Sequence, residues 1–156
     1  MQSSPQSSGG KDLPGRQAVM ALLARADIGE LQAALERLSP VPAATDLRPA
    51  EAGLVMLRAR TGGDGAPFNL GEASVARAAV RLDGGAEGFC YRLGRDIAAA
   101  RAAAILDALW QDPARRPGVE GALAQVRQRL AGEAETVRAE TAATKVEFFT
   151  LVRGED

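Results

Sequence analysis

The spacing of apolar residues changes twice along this chain, and those changes limit what it can fold into. Val19, Leu22, Leu23 and Ala26 recur at the spacing of one helix face. Leu31, Ala34, Leu35 and Leu38 repeat the pattern after a break at Asp27 to Gly29. In the middle of the chain the period falls to two, with Val55, Leu57 and Ala59 alternating with Met56, Arg58 and Arg60. From Ile97 the helical period returns. Elements grouped as helices, then strands, then helices fold as α+β rather than as alternating α/β units. The expected architecture is therefore an N-terminal helical hairpin, a small mostly antiparallel sheet, two C-terminal helices and an extended tail.

Local signals place the joints. Residues 1–15, "MQSSPQSSGGKDLPG", are polar and rich in Ser, Gly and Pro, and read as a disordered leader before a single domain over residues 16–156. Ser39-Pro40 ends the second helix, because proline lacks the N–H donor and its predecessor avoids helical backbone. Thr45 to Arg60 is extended, with a break expected near Pro49. Gly84-Gly85 suits a two-residue hairpin turn, which pairs Val80 with Phe89 and Ala78 with Tyr91. That register also sets Arg77 against Arg92, and a turn at Asp83-Gly84 would avoid the clash. Asp96 is a good N-cap for a helix whose stripe is Ile97, Arg101, Ala104, Ile105, Ala108 and Leu109, running to Trp110 before Asp112-Pro113 stops it. A long helix from Val119 is expected to bury Leu123, Val126, Leu130, Ala134 and Val137. The tail 146–154 alternates as a strand does, and its adjacent Phe148 and Phe149 point to opposite sides.

Composition removes whole classes of chemistry. The chain has 156 residues, formal net charge -1, one cysteine and no histidine. Near-zero charge gives no pull toward nucleic acid or an anionic membrane. No uncharged apolar run reaches the ~20 residues of a membrane span. A lone cysteine forms no internal disulfide, so a reducing cytoplasm is the plain expectation. Without histidine the chain itself supplies no His-based zinc site, Ser-His-Asp triad or Cys-His dyad. Cys90, between Phe89 and Tyr91, reads as a small core residue. No paired carboxylates stand at a spacing that demands acid–base work, so no catalytic and no metal-ligating residue is assigned.

The remaining candidates are an arginine–glycine element and the tail. "RTGGDG" (Arg60 to Gly65) is not a P-loop, since it lacks Gly-Lys-Ser/Thr and a strand pattern follows it. Two readings stand open. The loop is a bend between strands, or its backbone N–H groups at Gly62, Gly63 and Gly65 nest an oxyanion beside Arg60, with Arg77 on the next strand. Arg58 with Arg60, and Arg77 with Arg81, each share a strand face, as a solvated surface or as an anion-facing or partner-facing patch. In the tail, Phe148, Phe149 and Arg153 are candidates for an interface with a neighbouring chain, the alternative being an edge strand of its own sheet.

"EAGLVMLRARTGGDGAPFNLGEASVARAAVRL" (Glu51 to Leu82), "LGRD" (Leu93 to Asp96), "LDALWQ" (Leu106 to Gln111) and "VEFFTLVRG" (Val146 to Gly154) occur in an order that closely resembles the PhnG family. These are the G subunits of the bacterial carbon–phosphorus lyase system. The resemblance implies a core complex with H, I and J subunits and the ATPase-like L protein. In that complex a phosphonate attacks C1′ of ATP, adenine leaves, and α-D-ribose 1-methylphosphonate 5-triphosphate forms. ATP and phosphonate are then substrates of the assembly, and no cofactor belongs to this chain. A purely structural adaptor is the alternative. The sequence departs from the family where "GRDIAAARAAA" carries alanines instead of a histidine shortly after GRD, so any catalytic role of that histidine does not carry over.

Overall fold

The computed structural model describes residues 13–62 and 64–144. Helices α1 (Leu13–Arg25) and α2 (Ile28–Arg37) form the expected hairpin, α1 starting three residues before Arg16. The break between them is a capped start: Glu30 accepts a hydrogen bond from the Asp27 backbone N–H at 2.9 Å. Strands β1 (Ala44–Arg60), β2 (Pro67–Leu82) and β3 (Glu87–Leu93) form an antiparallel sheet in the order β1-β2-β3. Then come α3 (Ile97–Gln111), α4 (Arg116–Ala122) and α5 (Ala124–Ala143). The α+β class holds. The tail and its candidates Phe148, Phe149 and Arg153 lie outside the described residues, as does the leader through residue 12.

The core is a single layer of helices on one face of the sheet. Ala76, Ala78, Val80 and Leu82 of β2 and Cys90 of β3 are buried under α3. Alanine permits unusually close approach. A Cβ placed on Gly88 would lie 1.9 Å from the Ala104 carbonyl oxygen and 2.9 Å from the Ala108 Cβ, so β3 rests on the helix backbone itself. On its other side α3 meets α1 and α2. The helix is thus buried nearly all round, from Ala99 to Trp110 apart from Arg101, and not along the single stripe the spacing predicts. Ile97 and Arg101, both on that stripe, are the exceptions: Ile97 is exposed, and Arg101 pairs with Asp46 at 2.8 Å.

Three other expectations are corrected. The β2–β3 hairpin turns through three residues, Asp83, Gly84 and Gly85, closed by Leu82 N–H to Ala86 O at 2.9 Å. Gly84 and Gly85 take φ of 106° and 93°, which favours glycine. The extra residue moves the register by one, so Val80 faces Gly88, Ala78 faces Cys90, and Arg77 faces Tyr91 instead of Arg92. The like-charge pair never forms. β1 runs through Pro49 without ending; the pairing is irregular between Arg48 and Glu51, which an edge strand tolerates where a central one would not. Finally, Leu123 interrupts the last helix, and burial along α5 stops at Leu130. Val137 is 60 % exposed, because α5 has by then run past the helices it packs on.

Candidate functional site

Polar side chains bind the layers together before any is left for chemistry. Asp107 of α3 is fully buried. Its carboxylate accepts from Arg16 Nε at 3.0 Å and Nη2 at 2.7 Å, and from the Phe89 backbone N–H at 2.9 Å. One carboxylate therefore clamps α1, α3 and β3, and its hydrogen bonds push the Arg16 guanidinium pKa above its ordinary value. Arg92 of β3 donates to the Ala26 carbonyl at the end of α1 at 2.9 Å. Arg129 of α5 holds Glu30 of α2 at 2.8 Å and Glu133 at 2.6 Å. Burial pushes the Cys90 thiol up to about 11, which keeps it protonated and unreactive at neutral pH. Asp96 does cap α3, its Oδ1 accepting from Ala99 N–H at 2.8 Å. No group of His, Cys, Asp and Glu among the described residues could hold a metal ion.

The predicted anion-binding residues divide between two places. Arg77 sits in the middle of the bare sheet face. Its Nε donates to Glu51 at 2.7 Å and its Nη1 to the Tyr91 hydroxyl at 3.0 Å. Those bonds, Tyr91 first and Glu51 second, raise its pKa and commit the guanidinium to a partner within the fold. Arg81 is committed likewise, to Glu87 at 2.6 Å. Arg60 lies at the far end of β1, opposite Pro67. Glu51 and Arg60 are nine positions apart, which at ~3.3 Å per residue separates Arg77 from the turn by about 30 Å. They do not form one site.

The turn itself is tight. Gly62 has φ 65°, and a Cβ on Gly65 would fall 1.8 Å from the Thr61 carbonyl oxygen, so both positions need glycine. Gly63 lies outside the described residues. Arg60 Nη1 donates to the Gly65 carbonyl at 3.2 Å. Arg58, Ala59, Arg60 and Pro67 line a shallow depression of about 440 Å³ beside it.

The feature that sequence reasoning missed is where this turn sits. β3 ends opposite Val75, so beyond Ser74 only β1 and β2 continue, as a two-stranded ribbon. Met56 prolongs the face that α3 covers further back, and Leu57 prolongs the bare face, yet the two are 52 % and 41 % exposed. Alternation of Val55, Leu57 and Ala59 with Met56 was legible. That both sides were apolar, and so asked for cover on both, was the available signal.

A small α+β chain whose Asp107, Arg77 and Arg81 are committed within the fold, with an apolar ribbon left open, has the build of an assembly component. The comparisons agree. The chain matches the family described as "Phosphonate metabolism protein PhnG" over residues 14–154, and it belongs to that family. It is 52 % identical over 141 residues to a Rhizobium meliloti (strain 1021) protein described as "Alpha-D-ribose 1-methylphosphonate 5-triphosphate synthase subunit PhnG", with 90 % of each chain covered.

Proposed function

We propose that this chain is the G subunit of an α-D-ribose 1-methylphosphonate 5-triphosphate synthase in bacterial phosphonate use. The observation that carries the reading is the 52 % identity to the named subunit across 90 % of both chains. In the reaction a phosphonate oxygen forms a bond to C1′ of ATP as the C1′–N bond to adenine breaks, and the 5′-triphosphate is retained. In this reading the reacting groups belong to other subunits. The partners are the H, I and J subunits and the ATPase-like L protein, and the assembly works in the cytoplasm. No described helix is long and apolar enough to cross a membrane.

The experiment is reconstitution from purified subunits with ATP and methylphosphonate, reading adenine release by chromatography. Adenine should appear only when this chain is present. Equal release without it would overturn the proposal. Within the same reading, a structural adaptor that never touches substrate is favoured by Arg77, whose guanidinium is already held by Glu51 and Tyr91. Arg77→Ala should then lower the stability of the sheet without selectively lowering turnover in assembled complex.

A further inference from the structure

The ribbon formed by Leu54–Arg60 and Pro67–Ser74 poses a physical problem that the rest of the chain does not solve. A two-stranded hairpin is at best marginal in water without a third strand or a covering layer. Here no third strand pairs with it and no described helix covers it. Leu54 and Met56 on one face are 63 % and 52 % exposed, and Val55, Leu57 and Phe68, which pairs with Ala59 on the opposite face, are 37 %, 41 % and 43 % exposed. Such a patch marks an interaction surface.

We infer that this ribbon is a docking arm, wrapped on both faces by an apolar groove of a different subunit, with acidic groups at the groove's far end. The inference rests on the subunit reading above. Three observations choose this occupant. First, both faces carry exposed apolar side chains, with Glu72 opposite Met56 on one of them, so a surface lying against one face leaves the other wet. Second, area decides against a second copy. At ~3.3 Å per residue and ~10 Å width the arm reaches ~25 Å, so one face offers only about 250 Å², whereas enclosure on all sides covers on the order of 800–1,000 Å², the share one partner gives to a stable interface. A second copy pairing along the free β1 edge would satisfy backbone groups while leaving both faces exposed. Third, charge sets the far end. Among the described residues no carboxylate pairs with Arg58 or Arg60, whereas Arg77, Arg81, Arg101 and Arg129 in the body each have one and Arg92 is held by a backbone carbonyl. Two guanidinium groups without a carboxylate, Arg60 holding only the Gly65 carbonyl, call for carboxylates at a tip that enters a groove.

The test uses the full chain, tagged and co-expressed with the H, I and J subunits. Met56→Asp charges one face of the arm, Leu57→Asp the other, and Arg58→Glu with Arg60→Glu reverses the tip. Val137→Asp, at a comparably exposed apolar residue on α5, is the control. Folding of each isolated chain is checked by circular dichroism and by the fluorescence of Trp110. Each single face substitution should weaken capture at least about 30-fold, since a charge forced into a wrapped groove acts as a hot-spot loss. The tip reversal should also weaken capture, independently of either face, and the control should bind like wild type.

Wild-type affinity in either face variant would mean that the arm is not wrapped. Equal loss in the control would show that the effect is not specific to the arm. A wild-type dimer that Leu57→Asp dissolves would make the occupant a second copy and overturn the inference. A tip reversal that assembles normally and loses only adenine release would replace the acidic end with an anionic substrate. If wild type captures no subunit, the subunit reading itself falls, an outcome distinct from all of these.

Discussion

Removing the charge at Asp107 is the most direct challenge to the account of how the layers hold together. The carboxylate is fully buried and has three donors: Arg16 Nε at 3.0 Å, Arg16 Nη2 at 2.7 Å and the Phe89 N–H at 2.9 Å. In Asp107→Asn one oxygen becomes an NH₂ group. If Oδ1 becomes the amine it faces Arg16 Nε alone, and if Oδ2 does it faces both Arg16 Nη2 and the Phe89 N–H, so the amide keeps its oxygen on Phe89. The Arg16 side chain is 30 % exposed and can swing to water, which limits its share of the loss. The buried NH₂ group left facing Arg16 cannot, and an unsatisfied buried donor costs ~1–3 kcal/mol. With the broken charged pair, the total should be about 3 kcal/mol. For a domain of this size that lowers Tm by roughly 6–12 °C. Arg16→Met should cost at least as much, about 3–5 kcal/mol, because it leaves a carboxylate buried with one donor. The double variant Arg16→Met with Asp107→Leu removes both charges and leaves only the Phe89 N–H, so it should be more stable than either single one. The assay is urea unfolding followed by Trp110, which is 4 % exposed and lies three residues beyond Asp107. Additive losses in the double variant, or single losses below about 0.5 kcal/mol, would refute the clamp.

Three further outcomes are expected. Gly88→Ala should destabilise by about 2–3 kcal/mol, because the new methyl meets the α3 backbone and cannot be absorbed by a side chain; a melting curve like wild type would show that β3 does not rest on α3. Cys90 in the native chain at pH 8 should react with a thiol reagent on the order of 100-fold more slowly than in urea, given its raised pKa alone; labelling at the unfolded rate would place it outside the core. The Arg129 hydrogen bond holds the Glu30 pKa below 4.5, so the stability it adds is fully present above pH 4.5 and is lost as pH falls below that value. The Tm gap between wild type and Glu30→Gln should therefore be constant from pH 5 to 8 and should close on acidification, whereas a gap that widens in acid would reverse the assigned sign.

Much of the fold is written in local signals. The helical hairpin follows from Leu31 and Ala34 recurring after a capped break, and both are fully buried. The α3 start follows from Asp96. What the sequence hid was long-range. Periodicity marks Ala104 and Ala108 as one face, but only the approach of Gly88 shows that α3 is squeezed from that side too. Asp107 falls inside an apolar run, and nothing local says that its partner is Arg16, 91 positions away. Register was missed by one residue because Gly84-Gly85 fits a two-residue or a three-residue loop equally well until the backbone is seen.

The separation of the candidate residues has a related cause. Arg60 and Arg77 are both strand arginines near glycine, and a linear reading brings them together. In an antiparallel pair, however, distance from the shared turn decides proximity. Arg60 is next to the turn and Arg77 is ten residues past Pro67, paired with Glu51 deep in the body. An anion bridging both is therefore geometrically impossible within one copy. The pairings also sort the arginines by role. Three of those within reach of the helix layer or β3 meet an acid chosen by the fold, Arg77 with Glu51, Arg81 with Glu87 and Arg101 with Asp46, while Arg92 is held by the Ala26 carbonyl. Beyond Ser74 that matching stops, and the helix cover of the α3 face stops at the same point, while the opposite face is uncovered in the body too, at Tyr91 and Leu93. Polar and apolar complementarity ending together is what a boundary between self and partner looks like, since both are needed wherever a surface is buried.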